Sequence, residues 1–214
     1  MMKKLLSDRN LFNPISLLIL MSIAMPIAFN AWSAMLNNFV VEKAAFTGVE
    51  IGILQSLREV PGFLSFTLIF VLLVIKEQTF AVFSLALLGL GVCLTGFFPT
   101  VYGLYFTTVL MSIGFHYFEA VKQSLSLQWL SKEEAPIILG KLLAVGSLTS
   151  LIVYGCLWTL LEFFQLPYWI NFAIAGGICI FLAFVMFIFY PAFPSKVEQN
   201  QNLVLRKRYW LYYL

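Results

Sequence analysis

The chain has 214 residues, 61% hydrophobic and 17% aromatic against 11% charged, with a mean hydropathy of +0.93 and a formal net charge of +3. A soluble domain carries roughly 45–50% apolar and about 25% charged residues. A chain this short buries only about 70% of its extended surface in water, so an ordinary water-soluble fold is excluded and lipid becomes the solvent for much of the surface. No basic stripe outside the chain ends would serve nucleic acid. Cys93, Cys156 and Cys179 all fall inside apolar runs and read as packing thiols, and a metal site would need a second His or a nearby Cys beside the single His116. No cofactor is expected.

Six apolar runs follow in chain order: Ile15 to Phe39, Thr47 to Ile75, Phe80 to Phe98, Val101 to Leu127, Ile137 to Leu161 and Tyr168 to Tyr190. Polar residues or prolines stand between them: Asn37-Asn38 with Glu42-Lys43, Lys76-Glu77-Gln78, Phe98-Pro99-Thr100, Ser131 to Pro136, and Glu162 to Pro167. Runs of this length predict helices, because barrel strands are half as long and lipid leaves the backbone no other way to pair. The basic start, Met1 to Arg9, lacks a cleavage site and reads as the lead-in to an uncleaved first helix.

With that start inside, the inner segments hold Lys3, Lys4, Arg9, Lys76, Lys122, Lys132, Lys141, Lys196, Arg206, Lys207 and Arg208, against Lys43 alone outside and Arg58 within a span. This asymmetry predicts a cytoplasmic N-terminus, with a bacterial inner membrane as the expected location. After the bundle at 1–190 comes a polar linker, 191–208, and then Tyr209 to Leu214, where a basic cluster followed by aromatics reads as the start of a truncated seventh helix rather than an interfacial anchor.

Local residues sharpen this all-α, six-span reading. The stretch Thr47 to Ser56 has a polar turn before an Ile-Gly pair. Gln128 to Glu134 is followed by Gly140-Lys141, Gly146, Ser147 and Gly155. Together these resemble the N-terminal half of a major facilitator superfamily transporter: its entry into the second helix, its loop between helices four and five, and its glycine-rich fifth helix. The resemblance covers almost the whole chain. It implies a secondary active transporter of a small solute, with helices one and four lining a central cavity and either a missing C-terminal half or a second copy completing the path. The family's glycine- and arginine-rich signature between helices two and three is replaced here by Lys76-Glu77-Gln78, so the resemblance does not carry the gate tied to that signature.

Ionisable residues inside spans cost about 2.5–3.5 kcal/mol on insertion scales, which makes the few that remain candidates for function. They are Arg58-Glu59 in the second span, and His116, Glu119 and Lys122 with Tyr117 in the fourth. His116, Glu119 and Gln123 follow i, i+3, i+7 and share a face, and Glu119 reaches Lys122 at i+3. Glu119 or His116 is the expected acceptor of a coupling proton, with Arg58 as counter-charge or anion clamp. The alternative is a buried network that only holds helices together. Asn30, Ser33 and Asn37 form a weaker strip on the first helix, where interhelical bonding competes with substrate contact.

Other classes fit less well. A rhomboid-like protease wants a Gly-x-Ser-x motif with a distant His, and His116 has no such motif to serve; a prenyl-protease-like enzyme wants an Arg after a paired glutamate, which Glu133-Glu134 lacks. An enzyme is therefore not expected. The main alternative is a six-span scaffold or accessory subunit that moves nothing.

Overall fold

Asn13 opens the first helix. Its side chain accepts from the Ser16 amide at 2.8 Å while its own amide donates to the Ser16 hydroxyl at 3.0 Å, so two otherwise orphaned amides are satisfied together. The computed structural model describes residues 12–194. Among them, α1 runs Pro14–Ala44 and stops at Ala45, which takes a left-handed φ of 52°. Thr47 and Glu50 form a second capping box that starts α2, Gly48–Phe63.

The second predicted span departs from one continuous helix. Pro61 has no amide to offer the Leu57 carbonyl and Gly62 follows it, after which the chain tightens into a 3₁₀ turn, Leu64–Thr67, before a short α3, Leu68–Leu72. The other spans match their apolar runs closely: α4, Glu77–Thr95; α5, Val101–Trp129, capped by Thr100; α6, Ala135–Trp158; and α7, Tyr168–Phe189. A π turn, Thr159–Phe163, extends α6, and Gln165 beyond it is left-handed at φ 48°. No strand occurs among the described residues. Among the described residues, four helices are long and apolar enough to cross a membrane: α1, α4, α6 with its π turn, and α7. The break leaves α2 and α3 too short singly for a roughly 20-residue crossing, and His116, Glu119 and Lys122 dilute the apolar character of α5.

The packing has an internal order. Helix α4 packs against α5 and α7, α1 against α6 and α7, and α2 against α5. Exchanging α1 with α5, α2 with α6, and α4 with α7 maps these principal contacts onto themselves. Directions obey the same exchange. Helix α2 runs parallel to α5, with Glu50 beside Tyr105 and Gly62 beside His116, and α1 runs parallel to α6, with Ser22 beside Gly146 and Asn30 beside Ser150.

Glycines separate the bundle into tight and loose parts. Gly91 meets the Met111 backbone, Gly114 the Leu88 backbone, and Gly89 and Gly176 each other, so α4, α5 and α7 approach main chain to main chain. On α2 and α6, by contrast, Gly48, Gly52, Gly140 and Gly155 have nothing within 4 Å of where a side chain would begin. Helix α2 buries only Leu54 and Pro61, and α6 only Leu142 and Leu157.

One end of the bundle collects the start of α1, the Lys76 loop and the loop of Lys132. Gln78 there donates to the Pro191 carbonyl at 2.9 Å and accepts from the Phe193 amide at 3.0 Å, and Phe193 packs edge-on against Trp129. Lys43 lies at the opposite end. The residues before 12, the linker beyond 194 and the expected seventh-helix start at Tyr209 to Leu214 lie outside the described residues. Of the cysteines, Cys179 is buried with its thiol 3.5 Å from the Leu85 carbonyl, Cys93 is half-buried and Cys156 is exposed.

Candidate functional site

Helices α2 and α5 meet along one polar seam. Near the Lys43 end the Tyr105 hydroxyl donates to the Glu50 carbonyl at 3.4 Å, and at mid-helix the Ser112 hydroxyl donates to the Arg58 carbonyl. One turn further, the His116 ring lies against Gly62, where an added Cβ would stand 2.7 Å from the imidazole Cε1. Closer to the Lys76 end, the Tyr117 and Thr67 hydroxyls lie 2.7 Å apart. Since Thr67 also donates to the Leu64 carbonyl at 2.8 Å, Tyr117 is the donor in that pair.

The charges sit at the middle of the seam. Glu59 Oε1 accepts from Arg58 Nη2 at 2.6 Å and from Nε at 3.0 Å, a two-pronged grip between neighbours in sequence. Its other oxygen lies 3.8 Å from His116 Nε2, too long for a hydrogen bond but close enough for the charge state of the ring to matter. Glu59 therefore stands between Arg58 and His116. Its side chain is 59% exposed, against 29% for Arg58 and 23% for His116, so the carboxylate is the accessible member of the trio. Phe115 packs edge-on against the His116 ring and stacks at 4.2 Å on Phe29, which brings α1 to the back of the site.

The remaining sequence candidates go elsewhere. Glu119 pairs with Lys122 at 3.6 Å on its own helix, with the ammonium 5.8 Å above the Phe118 ring. One buried oxygen of Glu119 accepts no hydrogen bond. Asn30 donates to the Ser150 hydroxyl at 2.6 Å, which itself donates to the Gly146 carbonyl at 2.8 Å, so Asn30 joins α1 to α6. Ser33 and Asn37 are exposed, as is Gln123.

The expected counter-charge relation thus has a different middle member. Arg58 grips Glu59, and it is Glu59 that reaches His116. Residues adjacent in sequence point about 100° apart on a helix, so spacing gave no sign of an Arg58–Glu59 pair.

A second feature escaped sequence reasoning. At the Lys43 end, a cavity of about 450 Å³ is lined by Asn38, Glu42, Lys43, Glu162, Gln165 and Tyr168, among others. Two of these lining residues are bonded, Tyr168 donating to Glu42 at 3.2 Å. Asn38, Glu42, Lys43, Glu162 and Gln165 read as breaks between spans and Tyr168 as the start of the last one, and the fold brings them together beside the π turn. No group of three or more His, Cys, Asp or Glu among the described residues is placed to hold a metal ion.

No family model, no curated protein and no solved structure matches the chain.

Proposed function

We propose that the chain is one six-helix half of a secondary active transporter of the major facilitator type, coupled to protons through Glu59 and His116 at the α2–α5 seam. The observation that carries this reading is the Glu59 carboxylate held between a permanent cation and a titratable ring, at the middle of a polar seam in a largely apolar bundle. Protonation of His116 turns its contact with Glu59 into an ion pair, and the same proton on Glu59 releases both neighbours. The helix exchange supports the reading, since two inverted triplets are the internal architecture of such halves. The exposed faces of α2 and α6 support it too, as the surfaces on which a second six-helix bundle rests, whether continued chain or a second copy.

The basic end, with Lys76, Lys132 and Lys141, is the cytoplasmic end of this transporter in a bacterial inner membrane, and Lys43 faces out. An enzyme has no place in this reading. The test is reconstitution in vesicles that report internal pH, with amino acids, sugars and organic ions offered in turn. At least one solute is expected to move protons, and Glu59→Gln and His116→Gln are expected to abolish the linkage. A bundle that moves neither solute nor proton is the non-transporting scaffold instead.

A further inference from the structure

The second span is two pieces joined at a weak point. Pro61 removes one donor from the hydrogen-bond ladder near the end of α2, a 3₁₀ turn follows, and neither that turn nor α3 buries a single residue. Phe66, Phe70, Leu73 and Val74 are all exposed. A 3₁₀ stretch inside a longer helical run often marks a hinge, and a proline kink supplies the bend. On the α2 side of the hinge the helix is fixed to α5 by the Ser112 bond to Arg58 and by His116 seated on Gly62. On the other side, among the described residues, the one hydrogen bond to α5 is that from Tyr117 to Thr67, beside the partly buried packing of Leu68 on the core.

The geometry points to a hinged arm: residues 64–72 swing about Pro61-Gly62, and the Tyr117–Thr67 hydrogen bond is the latch that holds them against α5. The seat of His116 on Gly62 places the pivot directly beside the Glu59–His116 contact, so the arm turns next to the coupling site. That last link, which makes the arm a gate at the basic end, rests on the transport reading. The hinge and latch do not.

Spin labels carried on noncanonical residues leave the native cysteines in place. One pair, at Phe70 and Leu127, reads the arm against the end of α5, and a second pair, at Ile53 and Phe106, reads the fixed part of α2 against the start of α5. In lipid vesicles Tyr117→Phe, which removes only the hydroxyl, is expected to shift the first distance distribution to longer values and leave the second unchanged. Adding Pro61→Ala to that variant is expected to reverse the shift by restoring a continuous helix. If the first pair does not respond to Tyr117→Phe, or if both pairs move together as one rod, the hinged arm is wrong. A responding arm in a protein that moves no solute leaves the hinge standing and removes the transport reading.

Discussion

Gly89 and Gly176 pass each other with no side chain between them where α4 crosses α7. A Cβ on Gly89 would lie 2.8 Å from the Gly176 carbonyl oxygen, which is backbone and cannot step aside. Gly89→Ala is therefore expected to destabilise the bundle by about 1–3 kcal/mol, the usual penalty for overpacking. Gly140→Ala, where the added methyl meets open space, is expected to be neutral or to stabilise by roughly 0.5–1 kcal/mol through helix propensity. Thermal unfolding of the two variants in one detergent makes the comparison; equal losses contradict the tight packing of α4 on α7.

Asn30 and Ser150 offer a clean pair for measuring a single interhelical bond. Their coupling energy in a double-mutant cycle, Asn30→Ala against Ser150→Ala, is expected near 0.6 kcal/mol and below about 1.7 kcal/mol, the range met for such bonds in lipid. A flux assay alongside separates the roles: an Asn30 that also touches solute lowers transport beyond what Ser150→Ala does.

Gln78 grips the chain after α7 with both ends of its amide. Gln78→Ala is expected to raise hydrogen exchange at the Phe193 amide. Gln78→Glu keeps an acceptor for that amide but loses the donor to Pro191, and is expected to preserve most of the protection. Each lost bond is worth about 0.5–1.5 kcal/mol, a several-fold change in exchange rate.

The proposed sidedness rests on the distribution of bases. A cysteine introduced at Ala45 is expected to react with an impermeant maleimide from outside intact cells, and one at Ser131 only after permeabilisation. The reverse pattern inverts the topology.

The sequence carried most of the helix map, because apolar runs and their polar breaks are local properties. Capping is just as local, although the expected helix starts do not rest on it: Asn13, Thr47 and Thr100 each begin a helix where their side chains reach back to the backbone. The second span shows where local reading stops. Its composition is that of one apolar run, and Pro61 alone announces a bend, whereas the 3₁₀ turn lies where α5 makes few contacts and has no sign in composition. The site divides in the same way. Helical periodicity finds the Glu119–Lys122 pair, which lies within one helix. The meeting of Glu59 with His116 depends on the parallel register of α2 on α5, fixed by contacts more than fifty residues apart, and no spacing in either helix encodes it.

The uneven distribution of close contact has an elastic consequence. Helices α4, α5 and α7, jammed at their glycines, form a stiff beam that resists bending, while α2 and α6 are compliant flanks, each tied chiefly to one neighbour. A torque applied to α6 from outside reaches the beam mainly through α1 and the Asn30–Ser150 bond, and one applied to α2 arrives mainly at the Arg58–Ser112 seam. The two mid-helix polar joints are thus where a load on either flank is handed to the rest of the bundle, and the arm beyond Pro61 lies past the second of them.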